Sequence, residues 1–125
     1  MDAAQARQLK IKTGALVRTM KDYTSYNAEK NAQQAKLDQV RAAQAALPAE
    51  EQDQGVINRA EAEMAETAAV IPTIAVKIEG FLSDLEGVMG TIEESCSATM
   101  EEIKETEEWK KSEAACAEAH TFCSE

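Results

Sequence analysis

The chain reads as all-α, an elongated antiparallel three-helix bundle of the spectrin-like, coiled-coil type, and three observations lead there. Ile57, Ala60, Met64, Thr67, Ile71, Ile74, Ile78, Phe81, Leu85 and Val88 recur at alternating steps of three and four residues. That spacing is the apolar seam of a long helix packed against other helices. Ala, Glu, Gln and Lys, all strong helix formers, dominate the composition, while aromatics make up 4% of it. Only two prolines, Pro48 and Pro72, punctuate the 125 residues, a length that fits one domain over 1–125.

The first helix is expected over about 3–46, because the only glycine in that stretch is Gly14 and no proline occurs before Leu47-Pro48. A residue preceding proline is pushed out of the helical region, so the helix stops there, and Pro48 suits a turn or the opening of the next helix. Ala49-Glu50-Glu51 then places acidic side chains where a second helix over 49–89 would begin, at its positive dipole end. A connection this short makes the two helices antiparallel, each about 60 Å long.

Within the second helix, Pro72 removes one backbone hydrogen bond and crowds the carbonyl of Ala68, at a cost of about 3 kcal/mol. A bend there is expected. Ile78 and Phe81 are placed in the core. The second connection has two candidate positions. Gly87 and Gly90 interrupt the pattern just before Thr91-Ile92-Glu93-Glu94, which reads as a capping box and puts the turn at Gly90-Thr91. The alternative is Ser95-Cys96-Ser97-Ala98-Thr99, where Thr99 and Glu102 offer a second box. A third helix over about 92–120 follows. It is weakly amphipathic, from Ile92, Cys96, Met100 and Ile103 to Trp109 and an alanine-rich stretch, and is expected to fray after His120.

The first helix carries two features that bear on function. Its seam starts with Leu9, Leu16, Met20 and Tyr23, meets Asn27, Lys30 and Gln34, and resumes at Leu37 and Val40. Either the seam shifts register around Tyr23, Tyr26 and the neighbouring alanines, or this polar, tyrosine-bearing stretch contacts a partner. Beside the seam, Lys10, Gly14, Val17 and Lys21 share one face, and Lys12 and Arg18 add charge nearby. This is the main basic patch of an otherwise acidic chain, and it reads either as a solvated face or as an interface. A mid-helix glycine costs about 1 kcal/mol relative to alanine, so the close approach of a partner or a neighbouring helix would explain Gly14.

With 23 acidic against 13 basic residues and a net charge of −10, the chain is a poor partner for nucleic acid or an anionic membrane surface. No apolar run approaches the roughly 20 residues that span a bilayer. The start of the sequence lacks the apolar middle of a signal peptide, and three cysteines suit reduced thiols, so a cytoplasmic location is expected. A single histidine and no phosphate-binding glycine pattern leave no catalytic constellation. The chain is read as a non-enzyme with no cofactor. Cys116, His120 and Cys123 fall at i, i+4 and i+7 and are ligand types that suit zinc, but structural zinc draws four ligands from separated elements, so no metal site is assigned.

The run Arg7-Gln8-Leu9-Lys10-Ile11-Lys12-Thr13-Gly14, followed by Arg18, Lys21 and Tyr26, resembles the tubulin-binding cofactor A family, also called tubulin-specific chaperone A. Val70-Ile71-Pro72, leading into Ile78, Phe81, Leu82, Asp84 and Leu85, is similar to that family's proline-bearing helix. The last third departs from the pattern: it is longer, rich in Ser, Thr and Cys, and carries Trp109 in an EEWK context similar to the family's EEYK run. The resemblance implies a chaperone of β-tubulin, acting in the cytoplasm and associated with the cytoskeleton. It would capture the polypeptide released from the cytosolic chaperonin and hold it for the other tubulin-folding cofactors that assemble the αβ heterodimer. Tubulin is acidic, so Lys10, Lys12, Gly14, Arg18 and Lys21, with Tyr23 and Tyr26, are the candidate contact residues. A monomer is expected. The competing reading is a structural coiled-coil module that self-associates through the second-helix seam.

Overall fold

In the computed structural model, residues 1–124 are described, and all their regular structure is helical: α1 (Ala3–Ala45), α2 (Gln54–Ser95), α3 (Met100–Lys104) and α4 (Glu107–Ser124), with two single 3-10 turns between them. The start of α1 is fixed by a reciprocal box. The Gln5 backbone N–H donates to Asp2 Oδ1 at 2.7 Å, and the Asp2 N–H donates to Gln5 Oε1 at 3.0 Å, so two amide donors near the helix start are satisfied locally. The helix ends two residues ahead of Leu47, as Pro48 dictates. The 3-10 turn Ala49–Glu51 follows, so the acidic pair Glu50-Glu51 lies before α2 rather than in its first turn. Asp53 opens α2 instead, its Oδ1 accepting the Gly55 N–H at 2.9 Å.

The chain divides into two compact units, Met1–Lys21 together with the chain from Ile74 onward, and Asp22–Thr73. In the first unit, α1, α2 and α4 each touch the other two. Gln5 Nε2 donates to Ser95 Oγ at 2.8 Å and Lys12 lies 3.8 Å from Asp84, which sets α1 antiparallel to α2. Thr13 meets Ser112 at 2.8 Å, and Cys116 Sγ lies 3.8 Å from Met89 Sδ. Leu9, Leu16, Met20, Ile78, Leu82, Leu85, Ile92 and Trp109 form the core between them. Phe81 is only half-buried. The inward stripe of α2 is Ile78, Leu82 and Leu85, so the leucine following Phe81 takes the place expected for the ring.

The second unit is a helical hairpin. Lys36 pairs with Glu63 and Arg41 with Glu61, while Gln44 Oε1 accepts the Asp53 N–H near the turn. Its buried residues are Leu37, Ala60 and Thr67. Tyr23, Tyr26, Val40, Ile57, Met64 and Ile71 are half-buried.

Two expectations about the second connection are corrected. α2 does not stop at Gly90 but runs on to Ser95, because Leu85 and Ile92 on its inward stripe are wholly buried. That burial offsets the roughly 1 kcal/mol each interior glycine costs. The break therefore falls at the alternative position, in the 3-10 turn Ser97–Thr99. Neither capping box forms: Thr91 Oγ1 donates back to the Gly87 carbonyl at 3.0 Å, and Thr99 makes no side-chain cap. The single third helix becomes two, α3 and α4, and α4 continues past His120 to Ser124.

Candidate partner-binding surface

The surface grows out of how α1 and α4 bury their inner stripes. On α1, Leu9, Leu16 and Met20 turn into the core of the first unit, which leaves Lys10, Arg18 and Lys21 exposed. Lys12 is different. It is half-buried, and its ammonium lies 3.8 Å from Asp84 on α2, so its charge is partly answered within the fold. Of the candidate contact residues, Lys10, Lys12, Gly14, Arg18 and Lys21 lie in the first unit, while Tyr23 and Tyr26 belong to the second.

Thr106, missed in the sequence, and Trp109, expected on the apolar stripe of the third helix, position α4. Thr106 caps it: its Oγ1 accepts the Trp109 N–H at 3.3 Å and donates to the Ile103 carbonyl at 2.6 Å. Trp109 is 1% exposed, and its indole N–H donates to Glu113 Oε1 one turn on, giving the ring both a buried body and a polar partner. Ser112, Ala115 and Ala119 continue the buried stripe. Since the Ser112 hydroxyl donates to the Glu108 carbonyl at 2.8 Å, the 2.8 Å bond to Thr13 is donated by the threonine. Thr106 followed by Glu107 and Glu108 was the legible signal, a capping residue with two acids in the first turn.

Small residues on both helices leave a groove of about 570 Å³ between them. Lys10, Gly14 and Val17 line it from α1, and Lys111, Ala114 and Ala115 from α4; Glu107, Glu108 and Glu118 complete the α4 wall. A Cβ built on Gly14 would meet one atom within 4 Å apart from the helix's own backbone, Arg18 Nη1 at 3.3 Å. No neighbouring helix crowds this position, so helix packing does not explain the glycine. The arginine simply arcs back one turn across it.

The cysteine and histidine cluster at the end of α4 is dispersed into separate contacts. Cys116 meets Met89, the His120 Nε2 lies 3.4 Å from Glu86, and Cys123 is exposed. No group of three or more residues able to hold a metal ion occurs among the described residues. Burial, then the carboxylates of Glu86 and Glu113, pushes the Cys116 thiol up, whereas the Ser95 hydroxyl holds Cys96 below its ordinary value. No helix among the described residues is long and apolar enough to cross a membrane.

The regular structure of the described residues is all helical, and the groove between α1 and α4 is walled by charged side chains. The tubulin binding cofactor A family model matches residues 4–116, and the chain belongs to that family. The match takes in α1, α2, α3 and α4 as far as Cys116. No curated protein and no solved structure matches the chain.

Proposed function

We propose that this chain is a cytoplasmic, monomeric chaperone of β-tubulin. It captures the polypeptide after release from the cytosolic chaperonin and holds it until other tubulin-folding cofactors take it into the αβ heterodimer. Membership of the tubulin binding cofactor A family supports tubulin as the partner. The observation that carries the reading is the basic face of α1: Lys10, Arg18 and Lys21 are exposed, and none of them makes an ion pair among the described residues. In a chain of net charge −10, unanswered cations gathered on one face are where an acidic client is attracted rather than repelled. Within the first unit α1, α2 and α4 lie side by side, and a bend of α2 at Pro72 belongs to this proposal.

Reversing Lys10 and Lys21 to glutamate tests it. Exposed charges away from special features change stability by no more than about 0.5 kcal/mol, so melting should stay nearly constant while β-tubulin capture weakens. Added salt should bring the unmodified chain toward the variant, since exposed charges act through a screened field. A control reversal of Lys77 and Lys104, exposed and unpaired among the described residues, changes net charge equally. Equal weakening by both pairs would remove the α1 face from the interface.

A further inference from the structure

We propose that the groove between α1 and α4 seats a single amphipathic helix of the client, one with a narrow apolar ridge, acidic side chains along the flank facing α1 and basic side chains along the flank facing α4. This rests on the chaperone reading above and assigns the surface and the chemistry that reading leaves open.

Three properties of the groove point to that occupant. The first is its low floor, covered over Gly14 only by the Arg18 guanidinium. Gly14 offers no side chain, no neighbouring helix comes within 4 Å of a Cβ placed there, and Val17, Ala114 and Ala115 supply only short apolar groups. A ridge of small or slender apolar residues fits such a floor, and burying it removes water from both surfaces. The second is the charge of the walls. Lys10 stands on the α1 side and Arg18 leans across Gly14, while Glu107, Glu108 and Glu118 stand on the α4 side with Lys111 as the exception. None of these six makes an ion pair among the described residues. Opposite charges therefore face one space without neutralising each other, and an occupant with the complementary arrangement would answer both walls and have its orientation fixed.

The third is what the walls cannot supply. Both are α-helices whose backbone groups beyond the first turn of α4 are engaged within the helix, and the Thr13 hydroxyl is already given to Ser112. An extended segment would find no strand edge to pair with and would have to draw on the wall carboxylates and ammoniums for its backbone amides, whereas a helix satisfies its own and leaves those charges for its side chains. The α4 wall from Glu107 to Glu118 is about 16 Å long, enough for three turns of a client helix.

The test measures binding of purified β-tubulin to the full chain and its variants. Gly14→Leu fills the floor from α1 and Ala114→Leu fills it from α4; both replace a small residue in a helix, and circular dichroism selects whichever stays folded. Each should weaken binding by about tenfold or more. Glu107→Lys combined with Glu108→Lys sharpens the test. A client helix carrying bases on that flank is repelled by the new lysines and binds more weakly, while a uniformly acidic client surface is attracted and binds more tightly. Tighter binding by the double lysine variant, or affinities within about twofold of the unmodified chain for both groove-filling variants, overturns the proposal and leaves the chaperone reading standing. Failure of the unmodified chain to bind β-tubulin removes that reading itself, and this inference with it.

Discussion

The two units use the same pair of helices in different ways. In Met1–Lys21 with the chain from Ile74 onward, α4 lies against both α1 and α2, and side chains as large as Leu9, Leu16, Ile78, Leu85, Ile92 and Trp109 are wholly or almost wholly removed from water. In Asp22–Thr73, two helices run together and the one large hydrophobic side chain fully buried is Leu37, beside Ala60 and Thr67. The apolar seam of α2 continues through both units, yet it buries large side chains completely only in the unit where α4 joins it. Interhelical ion pairs do not replace that helix. Lys36 with Glu63 and Arg41 with Glu61 are solvent-exposed pairs, a class that contributes about 0–1 kcal/mol each. Gln33 adds a cost, because its buried Oε1 has no hydrogen-bond partner among the described residues.

That contrast can be broken most severely at Trp109. Replacing it with alanine removes the largest buried side chain of the first unit and should cost about 3 to 5 kcal/mol. The loss should appear in the melting temperature and as faster amide exchange in α4 and the α1 and α2 segments of that unit. A substitution that speeds exchange only in Asp22–Thr73 would overturn the division. Leu37→Ala is the counterpart in the hairpin. With so little else buried around it, its cost should lie near the lower end of the large-to-small range, about 2 kcal/mol, and its effect on exchange should stay within 22–73.

Pro72 lies in the second unit and has no N–H to give the Ala68 carbonyl. Pro72→Ala should stabilise the chain by on the order of 2 kcal/mol, read as a higher melting temperature and slower exchange around 64–72. The smallest change is Gln33→Leu. Removing a buried polar atom without a partner should add about 1 kcal/mol, measured by urea unfolding, and no gain would mean that the glutamine finds a partner in solution.

The parts of this fold that the sequence announces are those written by single residues acting locally. Pro48 sets the end of α1, and the step of three and four residues marks α2 from Ile57 to Val88. Where local signals compete with burial, burial wins: Gly87 and Gly90 read as a stop, but Leu85 and Ile92 hold the helix together through them. The core stripe of α4 was the hardest to read. Ser112, Ala115 and Ala119 carry little hydrophobicity, and they are buried because small side chains let helices approach closely, not because they repel water strongly. The candidate surface shows the same limit. Lys10, Gly14 and Val17 form one face by helical spacing alone, but the opposing wall of Glu107, Glu108, Lys111 and Ala114 is contributed by a helix about a hundred residues later, and no local pattern brings the two together. The capping of α1 by Asp2 and Gln5 and of α4 by Thr106 was present in the sequence as polar residues at the right offsets, without an apolar run strong enough to draw attention to them.

The most direct measurement is hydrogen exchange followed by mass spectrometry, on the chain alone and with saturating β-tubulin. Alone, amides of Asp22–Thr73 should exchange ahead of those in the core of the first unit, because local opening is easiest where few apolar contacts are buried. With β-tubulin, new protection should appear together on the segments 7–21 and 107–118, the two walls of the groove. Protection confined to 22–73, with both walls exchanging as in the free chain, would contradict the account.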